Sequence, residues 1–238
     1  AAGRKPDGTL SGIAKDASII AVNIFSIFTA SSDVRSYTSD QILGLGYVYS
    51  LRNTYKIGAV NMSLGSGQYA LPCDGDIRKA AIDNLAAVNI ATCIASGNNG
   101  YCDGVGAPGC ISTAITVGAV TKGDLEASYN NWAPDMLDFW APGSSITSST
   151  GDSNTSYEAW NGTSMATPHV TGTWTLMRQR APSESVPAIQ GRLTTGGVSV
   201  QTACPDEGYR PRINVFASQT WPLRFSGAAS QLLLMQGN

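Results

Sequence analysis

Apolar residues fall along the chain in short blocks separated by polar, glycine-rich breaks. Ser18-Ile-Ile-Ala-Val-Asn-Ile-Phe25 is mostly apolar and rich in β-branched residues, the pattern of a buried strand. From Ser39 to Lys56, Ile42, Leu45, Tyr49 and Arg52 recur at helical spacing, with Ser39 placed as an N-cap. A short strand, Gly58-Ala-Val-Asn-Met-Ser63, runs into Leu64-Gly65-Ser66-Gly67. A second helix is predicted from about Asp76 to Val88, with Ile77, Ala80, Ala81 and Leu85 on its apolar face. Asn89 to Ala95 reads as a third strand ending at Ser96-Gly97-Asn98-Asn99-Gly100, and Ala114 to Val120 as a fourth. After Trp140-Ala-Pro-Gly143 the chain is Ser/Thr/Gly-rich and loop-like to Gly162. Helices follow from about Thr163 to Arg180 and from about Ser185 to Thr195.

Strands alternating with helices of this length predict βαβ units: an α/β fold with a parallel β-sheet flanked by helices. In such sheets the site lies beyond the carboxyl ends of the strands, where the breaks at Gly65 and Gly97 fall. No internal repeat or linker divides the chain. Residues 1–218 read as one domain and 219–238 as a tail without clear period.

Composition narrows the functional classes. Of 238 residues 42% are hydrophobic and only 13% charged, with a formal net charge of −2. That balance excludes a disordered chain and offers no basic surface for nucleic acid or anionic lipid. No apolar run reaches the roughly 18 residues of a membrane span. The one histidine, His169, excludes any mechanism or metal site that needs two. Five cysteines (Cys73, Cys93, Cys102, Cys110, Cys204) without a CxxC pair exclude zinc-ribbon and thioredoxin-type readings. In a low-charge chain they point to one or two disulfides, a leftover thiol and an oxidising compartment.

The sharpest signal is Asn161-Gly-Thr-Ser-Met-Ala-Thr-Pro-His-Val170. It sets Ser164 in the first turn of a helix, directly after a glycine-led turn that lets a substrate approach closely. The free N–H groups and positive dipole end of that helix favour negative charge developing on an oxygen beside Ser164. A Ser or Thr cap on an ordinary helix is the bland alternative.

Gly162-Thr-Ser-Met-Ala-Thr-Pro-His169 resembles the nucleophile motif of the subtilisin-like serine proteases over its whole length. Ser96-Gly97-Asn98 is similar to that family's oxyanion-hole motif, and Asn61-Met-Ser-Leu-Gly65 to its substrate-binding strand. Ala141-Pro-Gly143 and Gly12-Ile-Ala-Lys-Asp-Ala17 match in the same order, so the resemblance covers about residues 10 to 195. It implies a serine endopeptidase in which Ser164 attacks a peptide carbonyl. The Asn98 amide and the Ser164 backbone N–H would hold the oxyanion. Ser63, Leu64 and Gly65 would pair with the substrate backbone as an added strand, and Ala95, Ser96 and Gly97 would wall the pocket before the cut. It also implies a polypeptide substrate, a secreted, extracellular setting and no required cofactor. Calcium is compatible with the family, but Asp103 and Asp124 alone do not make a site, since calcium takes six to eight oxygens.

The family's order is Asp, then His, then Ser. Here Ala1-Ala-Gly3 resembles the end of the histidine helix, and no Asp-Ser/Thr-Gly strand precedes it. His169 lies five residues beyond Ser164, about 140° around the helix axis, so it is not the general base. The expectation is a partial sequence, the C-terminal part of a catalytic domain. Its absent N-terminal segment, or a pro-segment, would be its partner, and alone it would be nearly inactive. An α/β-hydrolase esterase fails because Ala166 replaces the final glycine of G-x-S-x-G and no His follows suitably. A catalytically silent, subtilisin-like peptide-binding module is the alternative of a different class.

The cysteines complete the expectations. Cys93, inside the third strand, should be a buried free thiol. Cys73 and Cys110 lie in loops predicted to neighbour each other over the cleft, so Cys73–Cys110 is the preferred disulfide and Cys102–Cys110 the runner-up.

Overall fold

The computed structural model describes residues 1–28, 33–205 and 208–220. The elements in chain order begin with a small hairpin, β1 (Ser26–Phe28) and β2 (Asp33–Arg35), then α1 (Thr38–Ser50), β3 (Ala59–Met62) and β4 (Ser66–Tyr69). Next come α2 (Lys79–Ala87), β5 (Ala91–Ala95), β6 (Val105–Ala107), β7 (Ile115–Val120) and β8 (Phe139–Pro142). The last third holds β9 (Ile146–Ser149), β10 (Tyr157–Trp160), α3 (Thr163–Arg180), α4 (Val186–Gly196), β11 (Val198–Gln201), β12 (Tyr209–Arg212) and α5 (Val215–Thr220). One six-stranded sheet in the order β11-β12-β8-β7-β5-β3 carries the fold, parallel throughout except for the β11–β12 pair.

Every residue of β5 and β7 is buried, so both faces of the sheet are covered. On one face α3 presents Ala166, Val170, Trp174 and Met177 to Cys93, Val117, Ala119 and Phe139. On the other, Leu45 and Val48 of α1 and Ile82 and Leu85 of α2 meet Met62 and Ile94. The result is the expected α/β architecture of a mostly parallel sheet between helical layers. The apolar face of α2 is carried by Ile82 and Leu85, whereas Ile77, assigned to it from spacing, precedes the helix and is 70% exposed. The start of α1 likewise differs: the helix begins at Thr38 after Tyr37, and Ser39 makes no cap.

Residues 18–25 form no strand. Val22 and Ile24 lie against Gly44 of α1, while Ile19 is 72% exposed. An apolar run becomes a strand only where a neighbour completes its ladder, and among the described residues β3 pairs with β5 alone. The region after Gly143 is not a plain loop either: β9 and β10 form an antiparallel hairpin pairing Trp160 with Ile146. The tail beyond residue 220 lies outside the described residues.

Two disulfides form. Cys73–Cys110 is present with a Cα separation of 5.3 Å, as expected. Cys102 pairs with Cys204, not Cys110, which corrects the runner-up. This second bridge packs with the stacked pair Trp132 and Trp140, whose ring centroids are 5.7 Å apart. Cys93 is a buried free thiol, its pKa pushed up to about 12 by burial. Cys102–Cys204 closes the longer loop, 102 residues against 37. Its replacement by serines is therefore expected to cost about 5 kcal/mol, and that of Cys73–Cys110 about 4 kcal/mol. Denaturant unfolding of the two double variants checks this order, and equal midpoints would contradict it.

Candidate active site

The helix α3 starts from Gly162 at φ +154°, a conformation that side chains rarely adopt. Asn98, in the loop after β5, reaches across to this start. Its Oδ1 accepts the Thr163 backbone N–H at 2.8 Å and the Thr163 hydroxyl at 3.0 Å. Asn98 therefore caps a helix 65 residues away, and this commitment of Oδ1 leaves Nδ2 as the free donor of the amide. At the second position of the helix, the Ser164 N–H has no intrahelical partner either.

Ser63 locks the same helix from the end of β3. Its hydroxyl donates to the Ser164 carbonyl at 2.8 Å, and the Ser164 hydroxyl donates back to the Ser63 carbonyl at 3.3 Å. The Ser164 carbonyl is open because its i+4 residue is Pro168, which has no N–H to give it. A proline inside a helix thus frees the acceptor that ties the Ser63 segment to the helix start.

Ser63, Asn98 and Ser164 line one open cleft of about 810 Å³ together with Ala159, Trp160, Asn161 and Met165. Of the other residues singled out, Ala95 and Ser96 are buried behind it. Gly97 supports it, its N–H donating to Thr163 Oγ1 at 3.2 Å. Leu64 and Gly65 continue the Ser63 segment toward Ala107, without lining the cleft. Asn161 opens the motif that marks Ser164, whereas Ala159 and Trp160 carried no such signal, because their place depends on the β9–β10 hairpin.

Gly97 sits at φ +115°, and a Cβ there would lie 2.2 Å from the buried Asn131 Nδ2. Asn131 in turn accepts the Asn99 N–H at 2.8 Å, so Gly97 and Asn131 together shape the Asn98 loop. Gly97→Ala is expected to lose at least about 2 kcal/mol of stability. A thermal melt unchanged from wild type would show that the loop absorbs the methyl.

Among the described residues no imidazole or carboxylate stands beside Ser164 in the cleft. The His169 Nδ1 lies 2.9 Å from the Met165 carbonyl, burial lowers the ring's pKa, and the ring does not line the cleft. Asp138, its carboxyl pushed up to about 7 by burial, accepts the Thr116 N–H and the Gln190 amide and also lies outside the cleft lining. A calcium site fits no better. Asp103 accepts from Gln68 at 2.5 Å and Asp124 pairs with Arg212 at 2.6 Å, so the two carboxylates are committed separately. Among the described residues no three His, Cys, Asp or Glu side chains are grouped to hold a metal.

A serine at a helix start beyond the carboxyl ends of a parallel sheet, faced by an asparagine amide, defines an α/β fold with a serine-centred cleft. The chain belongs to the subtilase family of serine proteases, whose model matches residues 1–209. It is similar to the alkaline serine exoprotease A of Vibrio alginolyticus, 33% identical over 196 residues, 81% of this chain and 34% of that protein. It is also similar to the extracellular serine proteinase of Thermus sp. (strain Rt41A), 34% identical over 186 residues, 78% of this chain and 42% of that one. The chain thus spans less than half the length of these relatives. The crystal structure of a cold adapted subtilisin-like serine proteinase superposes with a TM-score of 0.71 and 28% identity, over 86% of this chain and 69% of that one.

Proposed function

We propose that this chain is the nucleophile-bearing part of a secreted serine endopeptidase, residues 1–218 forming the peptidase unit. The observation that carries the reading is the meeting of Ser164, Asn98 and Ser63 in one cleft. A peptide carbonyl seated there has its carbon before Ser164 Oγ and its oxygen toward Asn98 Nδ2 and the Ser164 N–H. Attack by Oγ builds negative charge on that oxygen, which the two donors and the helix dipole stabilise. Collapse expels the amine, leaves an acyl-enzyme on Ser164, and water releases the acid. Ser63, Leu64 and Gly65 pair with the acyl half of the substrate backbone, with the half-buried Gly97 beside its side chain and Ala95 and Ser96 buried behind.

The proton that Oγ gives up needs an acceptor, and the described residues supply no base near it. The base is therefore assigned to sequence beyond them, in keeping with the greater length of the relatives. The extracellular setting rests on the likeness to the extracellular proteinase of Thermus and on the two disulfides. A fluorophosphonate probe applied to the full gene product tests the reading. Labelling at Ser164, abolished by Ser164→Ala, is the expected result. An unlabelled, folded product would instead be a silent peptide-binding module.

A further inference from the structure

Two different elements wall the cleft beside Ser164. If the acyl half of a substrate lies along residues 63–65, the wall left for the amine half is the end of β10, with Ala159, Trp160 and Asn161. Trp160 is unlike the other described tryptophans. Trp132, Trp140 and Trp174 are fully buried, whereas Trp160 is 53% exposed and faces the cleft. A large aromatic held outside the core at a cleft wall is a contact surface.

Glu158 stands two residues back on the same side of β10. Its Oε2 accepts the Trp160 Nε1–H at 2.8 Å, which fixes the indole and sets a carboxylate at its edge. Among the described residues no lysine or arginine pairs with Glu158. An aromatic face beside an exposed carboxylate without a cationic partner is the arrangement that receives a cation: the ring attracts it electrostatically and the carboxylate pairs with it.

We propose that Glu158 and Trp160 form a subsite for a lysine or arginine side chain on the leaving-group half of the substrate. This rests on the reading of Ser164 as nucleophile and of residues 63–65 as the acyl-side strand. A cation–π contact and an exposed ion pair together are worth about five- to tenfold in binding. The preference is electrostatic, so it shrinks at 1 M salt, where the screening length is about 3 Å.

The test is fluorescence anisotropy on the full gene product carrying Ser164→Ala, which prevents cleavage, with dye-labelled peptides in which Ala-Ala-Pro-Phe is followed by Arg-Arg, Ala-Ala or Glu-Glu. The acyl half alone serves as a fourth probe. The Arg-Arg peptide is expected to bind about five- to tenfold tighter than Ala-Ala, and Glu-Glu more weakly than either. Glu158→Gln, an exposed and conservative change, should reduce the gain to about two- to threefold, and Trp160→Ala should remove the rest. Equal binding of Arg-Arg and Ala-Ala, or a gain that survives both substitutions, overturns the subsite. If the acyl half binds but arginine adds nothing, the subsite alone fails. If none of the four probes binds, the reading of the cleft fails and the subsite with it.

Discussion

A purified 238-residue polypeptide is expected to be nearly inactive, cleaving a peptide p-nitroanilide about 10⁶-fold more slowly than an intact triad would, and Ser164→Ala is expected to change that rate little. Ser164, its helix and the Asn98 amide meet in the cleft, yet the single imidazole sits with its Nδ1 at the Met165 carbonyl, outside it. A serine hydroxyl with no base stays protonated, and its partners act as a unit. In subtilisin itself, loss of the histidine alone costs about 10⁶ in turnover. The measurement is initial rate against enzyme concentration for wild type and Ser164→Ala side by side. Turnover at the level of an intact triad, abolished by the alanine, would mean that another group here takes the proton.

In the full gene product, Asn98→Asp is expected to lower turnover by about 10² to 10³ or more, the range measured for the corresponding donor in subtilisin. The substitution separates the two jobs of the side chain. Aspartate keeps an oxygen for the Thr163 N–H, so the start of α3 stays capped. It removes the Nδ2 donor and puts negative charge where the oxyanion would form. Asn98→Ala loses both jobs and is expected to lower thermal stability as well as rate. If Asn98→Asp retains more than about a third of wild-type turnover, Asn98 is a helix cap and nothing more.

Much of this architecture is legible in the order of residues. The β-branched and small apolar runs that became β5 and β7 are buried on both faces, so their composition alone identifies them. Ser164 is visible because glycine, small polar residues and helix-forming residues meet in one motif, and Cys73 finds Cys110 because both lie in loops over neighbouring strands. What stays hidden depends on partners. Ser18 to Phe25 has strand composition but no ladder neighbour among the described residues. Trp160 is placed by pairing with Ile146, which a Ser/Thr-rich stretch does not announce. Cys204 meets Cys102 because β11 and β12 add to the sheet beyond β8, a long-range register invisible in local pattern. The hold of Ser63 on Ser164 turns on the missing N–H of Pro168, legible only once strand and helix are seen together.

The Cys102–Cys204 bridge also sets an order of events during synthesis. The loop that carries Asn98 runs on into Cys102, and its covalent anchor is made 102 residues later. At about 5 to 20 residues per second, the ribosome needs roughly 5 to 20 s to supply the partner cysteine. Ser164 emerges in that interval, so for some seconds the growing chain holds Ser164 while the Asn98 loop is not yet fastened. The anchor of the cleft is thus supplied after every described cleft-lining residue, and a chain released before Cys204 would carry those residues with the Asn98 loop unbolted.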